Sequence, residues 1–128
     1  RYGSHAALIH DVHKAAGQHE HAAFDELYSR MGEINRFGRL GLFDFLAMIG
    51  KLGIAPIAPG KAYLKGATGP LAGTKLLVFG NPNASATTEE LESVLAKLDD
   101  ELQVGKQVLE DSLCNWQKSP GKFVLFRG

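Results

Sequence analysis

The chain has 128 residues, 45% of them apolar and 22% charged, an ordinary globular balance that excludes a disordered or low-complexity chain. Lys plus Arg equals Asp plus Glu at 14 each, so there is no general electrostatic pull toward nucleic acid or membrane, and any DNA binding has to come from a local patch. A single cysteine, Cys114, excludes an internal disulfide and argues against a thiolate zinc site; a reducing, cytoplasmic setting is the expectation. The sequence opens on an arginine rather than a methionine, which reads as a piece of a longer chain, and it carries no signal peptide or membrane-spanning run.

Ser4 can cap a first helix running to about Ala16, with Ala7, Leu8 and Val12 on one side and Gly17 as its stop. A second helix is expected over residues 20–31, where Phe24, Leu27, Tyr28 and Met31 recur at helical spacing. Residues 40–52 are apolar on every side of a helical wheel. That pattern predicts a buried central helix, because the run falls short of the roughly 20 residues a bilayer needs and holds Asp44 in its middle. Gly41 and Gly50 each cost about 1 kcal/mol of helix propensity, which points to close helix approach, and Gly53 suits the C-terminal stop.

Beyond Gly53, residues 54–60 form a proline-rich extended connector, and residues 61–65 can make one helical turn. Residues 66–73 read as a glycine loop, residues 75–79 as a short strand or a buried helical turn, and residues 80–83 as a turn. Thr87 and Glu90 have the form of a capping box. The helix behind them carries an apolar stripe of Leu91, Val94, Leu95, Leu98 and Leu102, with Glu89, Glu92, Lys97, Asp99, Asp100 and Glu101 outside. A last helix over about residues 105–117 is expected to bury Val108, Leu109, Leu113 and Trp116; Pro120 and Gly121 stop it, and residues 123–126 make an extended tail. The sum is a mainly α, single helical domain over residues 1–128, with a buried central helix, a loop-rich middle and room for one short strand pair.

All five histidines (His5, His10, His13, His19 and His21) fall in the first 21 residues, and His10 and His13 stand one helical turn apart. Their spacing matches no known zinc motif, so a solvated histidine-rich face is the reading and no metal site is claimed. The segment from Gly66 to Lys75 invites a phosphate-loop reading, but Gly69 and Gly73 enclose three residues where the Walker pattern needs four, and Thr74-Lys75 has the wrong order.

Residues 110–118 are denser in functional groups than a terminal helix needs. Glu110 or Asp111 can serve as a base or stabilise a cation, and Asn115 or Gln117 can hydrogen-bond a nucleobase edge. The plainer reading leaves the acids solvated and Trp116 in the core. Arg36 and Arg39, three apart, suit bidentate contact with phosphate or carboxylate, and Asp44 is either a structural ion-pair partner or a polar group lining a pocket.

Three stretches together, residues 35–46 (Asn-Arg-Phe-Gly-Arg-Leu through Phe-Asp-Phe-Leu), residues 63–70 and residues 110–118 (Glu-Asp-Ser-Leu-Cys-Asn-Trp-Gln-Lys), resemble the alpha-glutamyl/putrescinyl thymine pyrophosphorylase family, its third clade most of all. The resemblance spans roughly residues 35–126. It implies a helical scaffold akin to helix-hairpin-helix DNA glycosylases and a setting of thymine hypermodification in phage or prophage-linked DNA. The implied chemistry replaces pyrophosphate on an activated 5-hydroxymethyl pyrimidine with an amino acid or polyamine. One departure stands out: residues 57–62 keep the Pro-Gly of the glycosylase hairpin, at Pro59 and Gly60, but lack its second glycine.

The expectation is therefore a DNA base-modifying enzyme without cofactor or metal, with DNA as partner. Asp111 or Glu110 carries the catalysis; Arg36, Arg39, Asp44, Asn115, Trp116, Gln117 and Lys118 bind substrate. The alternative is a non-catalytic helical module that binds DNA or a protein. The sequence leaves the oligomeric state open.

Overall fold

A computed structural model describes residues 3–125, which contain six helices and no strand. The chain divides after Gly60 into two compact units.

The first unit holds α1 (His5–Ala15), α2 (Glu20–Met31) and α3 (Arg39–Lys51). Ser4 caps α1, its hydroxyl accepting from the Ala7 N–H at 3.1 Å, and left-handed Gly17 and Gln18 turn the chain into α2. α2 packs against both α1 and α3. Its buried face (Ala23, Phe24, Leu27) meets the buried face of α3 (Leu42, Phe43, Leu46, Ala47, Ile49), and Phe24 sets its ring edge-on to Phe43 at 6.0 Å. Gly53, with φ +67°, ends α3 as its sequence predicts. The connector then folds back: the carbonyl oxygen of Ile57 occupies the space a Cβ on Gly50 would need, and the Ala58 carbonyl lies 2.9 Å from Nδ1 of His21.

α3 is not buried all round. Its second face leaves Leu40 61%, Phe45 46%, Met48 57% and Leu52 66% exposed. An all-round apolar pattern is compatible with burial, but it requires neighbours on every side, and within this unit α2 and the connector cover one face.

The second unit holds α4 (Gly69–Phe79), α5 (Thr88–Leu102) and α6 (Lys106–Trp116), packed around Ala62, Leu64, Leu91, Leu95 and Leu113. α4 corrects two expectations at once. The segment at residues 75–79 is helical rather than a strand, and the glycine loop ends at Thr68, with Gly69 and Pro70 opening the helix. Gly69 and Gly73 are spaced for a close helix crossing. A Cβ at Gly73 would strike the Leu113 carbonyl oxygen, and one at Gly69 would strike the Cys114 sulfur, so α4 lies directly on α6. The buried Thr74 hydroxyl is satisfied within its own helix, donating to the Pro70 carbonyl at 2.8 Å. α5 starts at the expected capping box: the Thr87 hydroxyl accepts from Glu90 N–H at 3.2 Å, and the Glu90 carboxylate accepts from Thr87 N–H at 3.0 Å.

Residues 61–65 form no helical turn; Ala62, Tyr63 and Leu64 are buried, with the backbone bent at left-handed Tyr63, while Lys61 and Lys65 are exposed. Val94, Leu102, Val108 and Trp116, assigned to apolar stripes by their spacing, are each more than a third exposed. Of the expected tail, residues 123–125 are exposed coil, and Phe126 lies outside the described residues.

Candidate functional site

The acid–amide–indole run of residues 110–118 lies on α6 and the turn after it, and the helix sorts it by face. Glu110 is 1% exposed, on the side that also buries Leu109 and Leu113. No buried side-chain oxygen or nitrogen among the described residues lacks a hydrogen-bond partner, so its carboxylate is satisfied within the protein. Asp111 is half-buried and borders solvent. Asn115, one turn on, donates from Nδ2 to the Asp111 carbonyl at 2.8 Å and accepts at Oδ1 from the Lys118 ammonium at 3.4 Å. Asp111, Asn115 and Lys118 thus follow i, i+4, i+7 spacing along one side of α6 and its last turn. Gln117 donates to the Cys114 carbonyl at 3.3 Å, and Trp116 stands 39% exposed rather than in the core.

The two arginines and Asp44 belong to the first unit. Arg36 is exposed and adopts a left-handed backbone, φ +66°. Arg39 opens α3 with its guanidinium 4.8 Å over the Phe43 ring and a hydrogen bond to Tyr28. Burial pushes the Tyr28 phenol above its usual range, and the charge and hydrogen bond of Arg39 offset part of that rise. Arg39 is thereby anchored to two aromatic rings, and its neighbour Arg36 projects from the loop before it. Asp44 is half-buried and engaged with a partner on the protein rather than sealed inside an apolar rod.

Sequence reasoning missed Glu92, which it had placed on the solvent side of α5. Its carboxylate accepts two backbone hydrogen bonds from the non-helical segment before α4, Ala62 N–H to Oε2 at 2.8 Å and Leu64 N–H to Oε1 at 2.7 Å. Between those amides sits Tyr63, buried and left-handed at φ +53°, with the Lys61 ammonium 4.9 Å over its ring. The only hint in the sequence is an acid next to Leu91 on the edge of the apolar stripe, since its acceptor role depends on a segment some thirty residues away.

The other motifs resolve structurally. Gly69 and Gly73 make a helix contact rather than a phosphate cradle. His19 and His21 face each other at 5.9 Å, and His21 reaches the Ala58 carbonyl; among the described residues no three His, Cys, Asp or Glu side chains are grouped to hold a metal ion. No described helix is long and apolar enough to cross a membrane. Pro59 and Gly60 lie in a long non-helical stretch between Lys51 and Gly69, not in a tight hairpin joining two helices.

No curated protein and no solved structure matches the chain. A family model described as alpha-glutamyl/putrescinyl thymine pyrophosphorylase clade 3 matches residues 1–128, and the chain belongs to that family.

Proposed function

We propose that this member of the thymine pyrophosphorylase family modifies a thymine-derived base in DNA, with α6 as its catalytic element. The whole-length family match carries the reading. In the proposed reaction an amine, from an amino acid or a polyamine, attacks the exocyclic methylene of an activated 5-hydroxymethyl pyrimidine. The new C–N bond forms as the C–O bond to pyrophosphate breaks, and pyrophosphate leaves with the bonding electrons. The attacking nitrogen sheds a proton, which Asp111 receives as general base. The solvent-bordering position of Asp111 supports this role; Glu110, buried and already partnered, is assigned to structure.

Trp116 offers an exposed indole on which an extruded base can stack, with Asn115 and Gln117 reading its edge. Lys118, one turn beyond Asn115, is proposed to hold the leaving pyrophosphate, and Arg36 and Arg39 in the first unit to contact the DNA backbone. A phage or prophage-linked genome is the proposed setting, and the kinship to helix-hairpin-helix glycosylases remains part of this proposal.

The test is nucleoside mass spectrometry on DNA carrying the pyrophosphorylated base, incubated with the protein and either glutamate or putrescine. Asp111→Asn is expected to lower product formation by about 100-fold or more while the melting temperature stays put. Unchanged turnover in that variant removes Asp111 from the mechanism. A second reading, a non-catalytic module, draws support from the exposed apolar face of α3; it predicts partner binding with no new nucleoside from the wild-type protein.

A further inference from the structure

The end of α6 carries a run of hydrogen-bonded side chains that the helix does not need for its own closure. The carbonyls of its last turn are each supplied with a donor. Leu113 receives the Gln117 N–H at 3.2 Å, Cys114 the Gln117 side-chain amide at 3.3 Å, Asn115 the Lys118 N–H at 3.2 Å and Trp116 the Ser119 N–H at 3.1 Å. The Lys118 ammonium is therefore not called on as a C-terminal cap, the ordinary use of a lysine at such a place. It turns back instead to Asn115 Oδ1 at 3.4 Å.

The Asn115 amide fits this setting in one orientation only. Its Nδ2 lies 2.8 Å from the Asp111 carbonyl, which can only accept, and its Oδ1 faces an ammonium, which can only donate. Turned over, the amide would oppose donor to donor and acceptor to acceptor. The bond to Asp111, one turn back, fixes the Asn115 rotamer, and the fixed Oδ1 restrains a lysine that would otherwise sweep through many rotamers. Alanine meets neither demand, and aspartate would set its charge against the Asp111 carbonyl. One amide hydrogen and one lone pair of Asn115 are used in this way, which leaves the others for a base edge.

We infer that Asn115 is a positioning residue: it holds the Lys118 ammonium on the Asp111 side of α6, where the pyrophosphate group departs. The inference rests on the function proposed above. A cation fixed beforehand takes up the departing charge without first being ordered, and it does so on the face that carries the general base.

Calorimetric titration of the full chain with inorganic pyrophosphate at low ionic strength tests this apart from turnover, because pyrophosphate offers no base edge for Asn115 to read. Lys118→Ala is expected to weaken binding about tenfold and Asn115→Ala about fourfold, with helix content retained because alanine is the better helix former. In the double variant the loss should match that of Lys118→Ala alone to within about a factor of two, since Asn115 acts through Lys118. In the nucleoside assay, Asn115→Ala should lower kcat while the KM for the amine holds. A wild type that binds no pyrophosphate, an Asn115→Ala variant that binds it as well as the wild type, or losses that multiply in the double variant would each overturn the proposal. Coupled losses in a protein that yields no new nucleoside would support the positioning role and remove the proposed reaction instead.

Discussion

α3 and α4 are the two most apolar helices, and each carries two glycines, yet they end in opposite situations. In α4, Gly69 and Gly73 face α6 so closely that neither position has room for a methyl group. In α3, Gly50 has the same constraint from the Ile57 carbonyl, but Gly41 looks outward among exposed Phe45, Met48 and Leu52. Apolar content alone therefore does not say which helix is enclosed. Enclosure follows from what is packed on each face, and polar anchors mark the enclosed half: Glu92 on the Ala62 and Leu64 amides, and Asp99 paired with Lys106 at 2.6 Å.

The contrast breaks most readily at Gly73. Gly73→Ala must push α4 off the Leu113 carbonyl and is expected to cost about 3 kcal/mol, measured by urea unfolding followed through Trp116, the single tryptophan of the chain. Next is Glu92→Ala, which strips two buried-segment amides of their charged acceptor and should cost about 2 kcal/mol by the same measurement.

A smaller effect comes from Asp99, whose carboxyl is held below the usual carboxylate range first by its hydrogen bond to Lys106 and further by the Gly105 N–H, against the opposing pull of burial. A depressed folded-state pKa contributes stability that is complete above the ordinary aspartate value and disappears as pH falls through the folded one. Unfolding measured across acid pH should thus show a loss setting in below about pH 4, and Asp99→Asn should flatten it. The smallest effect has the opposite sign. Gly41→Ala meets only a ring edge of Phe37 at ordinary contact distance, so the gain in helix propensity should stabilise the first unit by up to about 1 kcal/mol.

Local signals made much of this fold legible. The bounds of α2, the capping box of α5, the Ser4 cap and the Gly53 stop rest on residues within one or two turns of each other, and each stands where its sequence predicts. What failed to show was non-local. Gly69 and Gly73 look like loop glycines until the carbonyl of Leu113 and the sulfur of Cys114, some forty residues on, are seen to fill the space over them. Glu92 looks solvated until the segment at Ala62 supplies its donors.

The candidate site divides the same way. The sequence marks α6 as chemically rich, but sorting buried Glu110 from solvent-bordering Asp111, adjacent in the chain, needs the position of α4 and the Leu109–Leu113 face. Family membership then supplies a chemical context that no side-chain spacing in this chain could have supplied.

Cys114 rests its sulfur over Gly69 at the crossing of α4 and α6, and the chain has no other thiol. Cys114 is half-buried there, so a bulky maleimide should react faster as the two helices part, and the change in modification rate is a built-in clock for breathing of that crossing. Followed at rising denaturant, that clock separates partial opening of the helix pair from loss of the whole unit, without any engineered reporter.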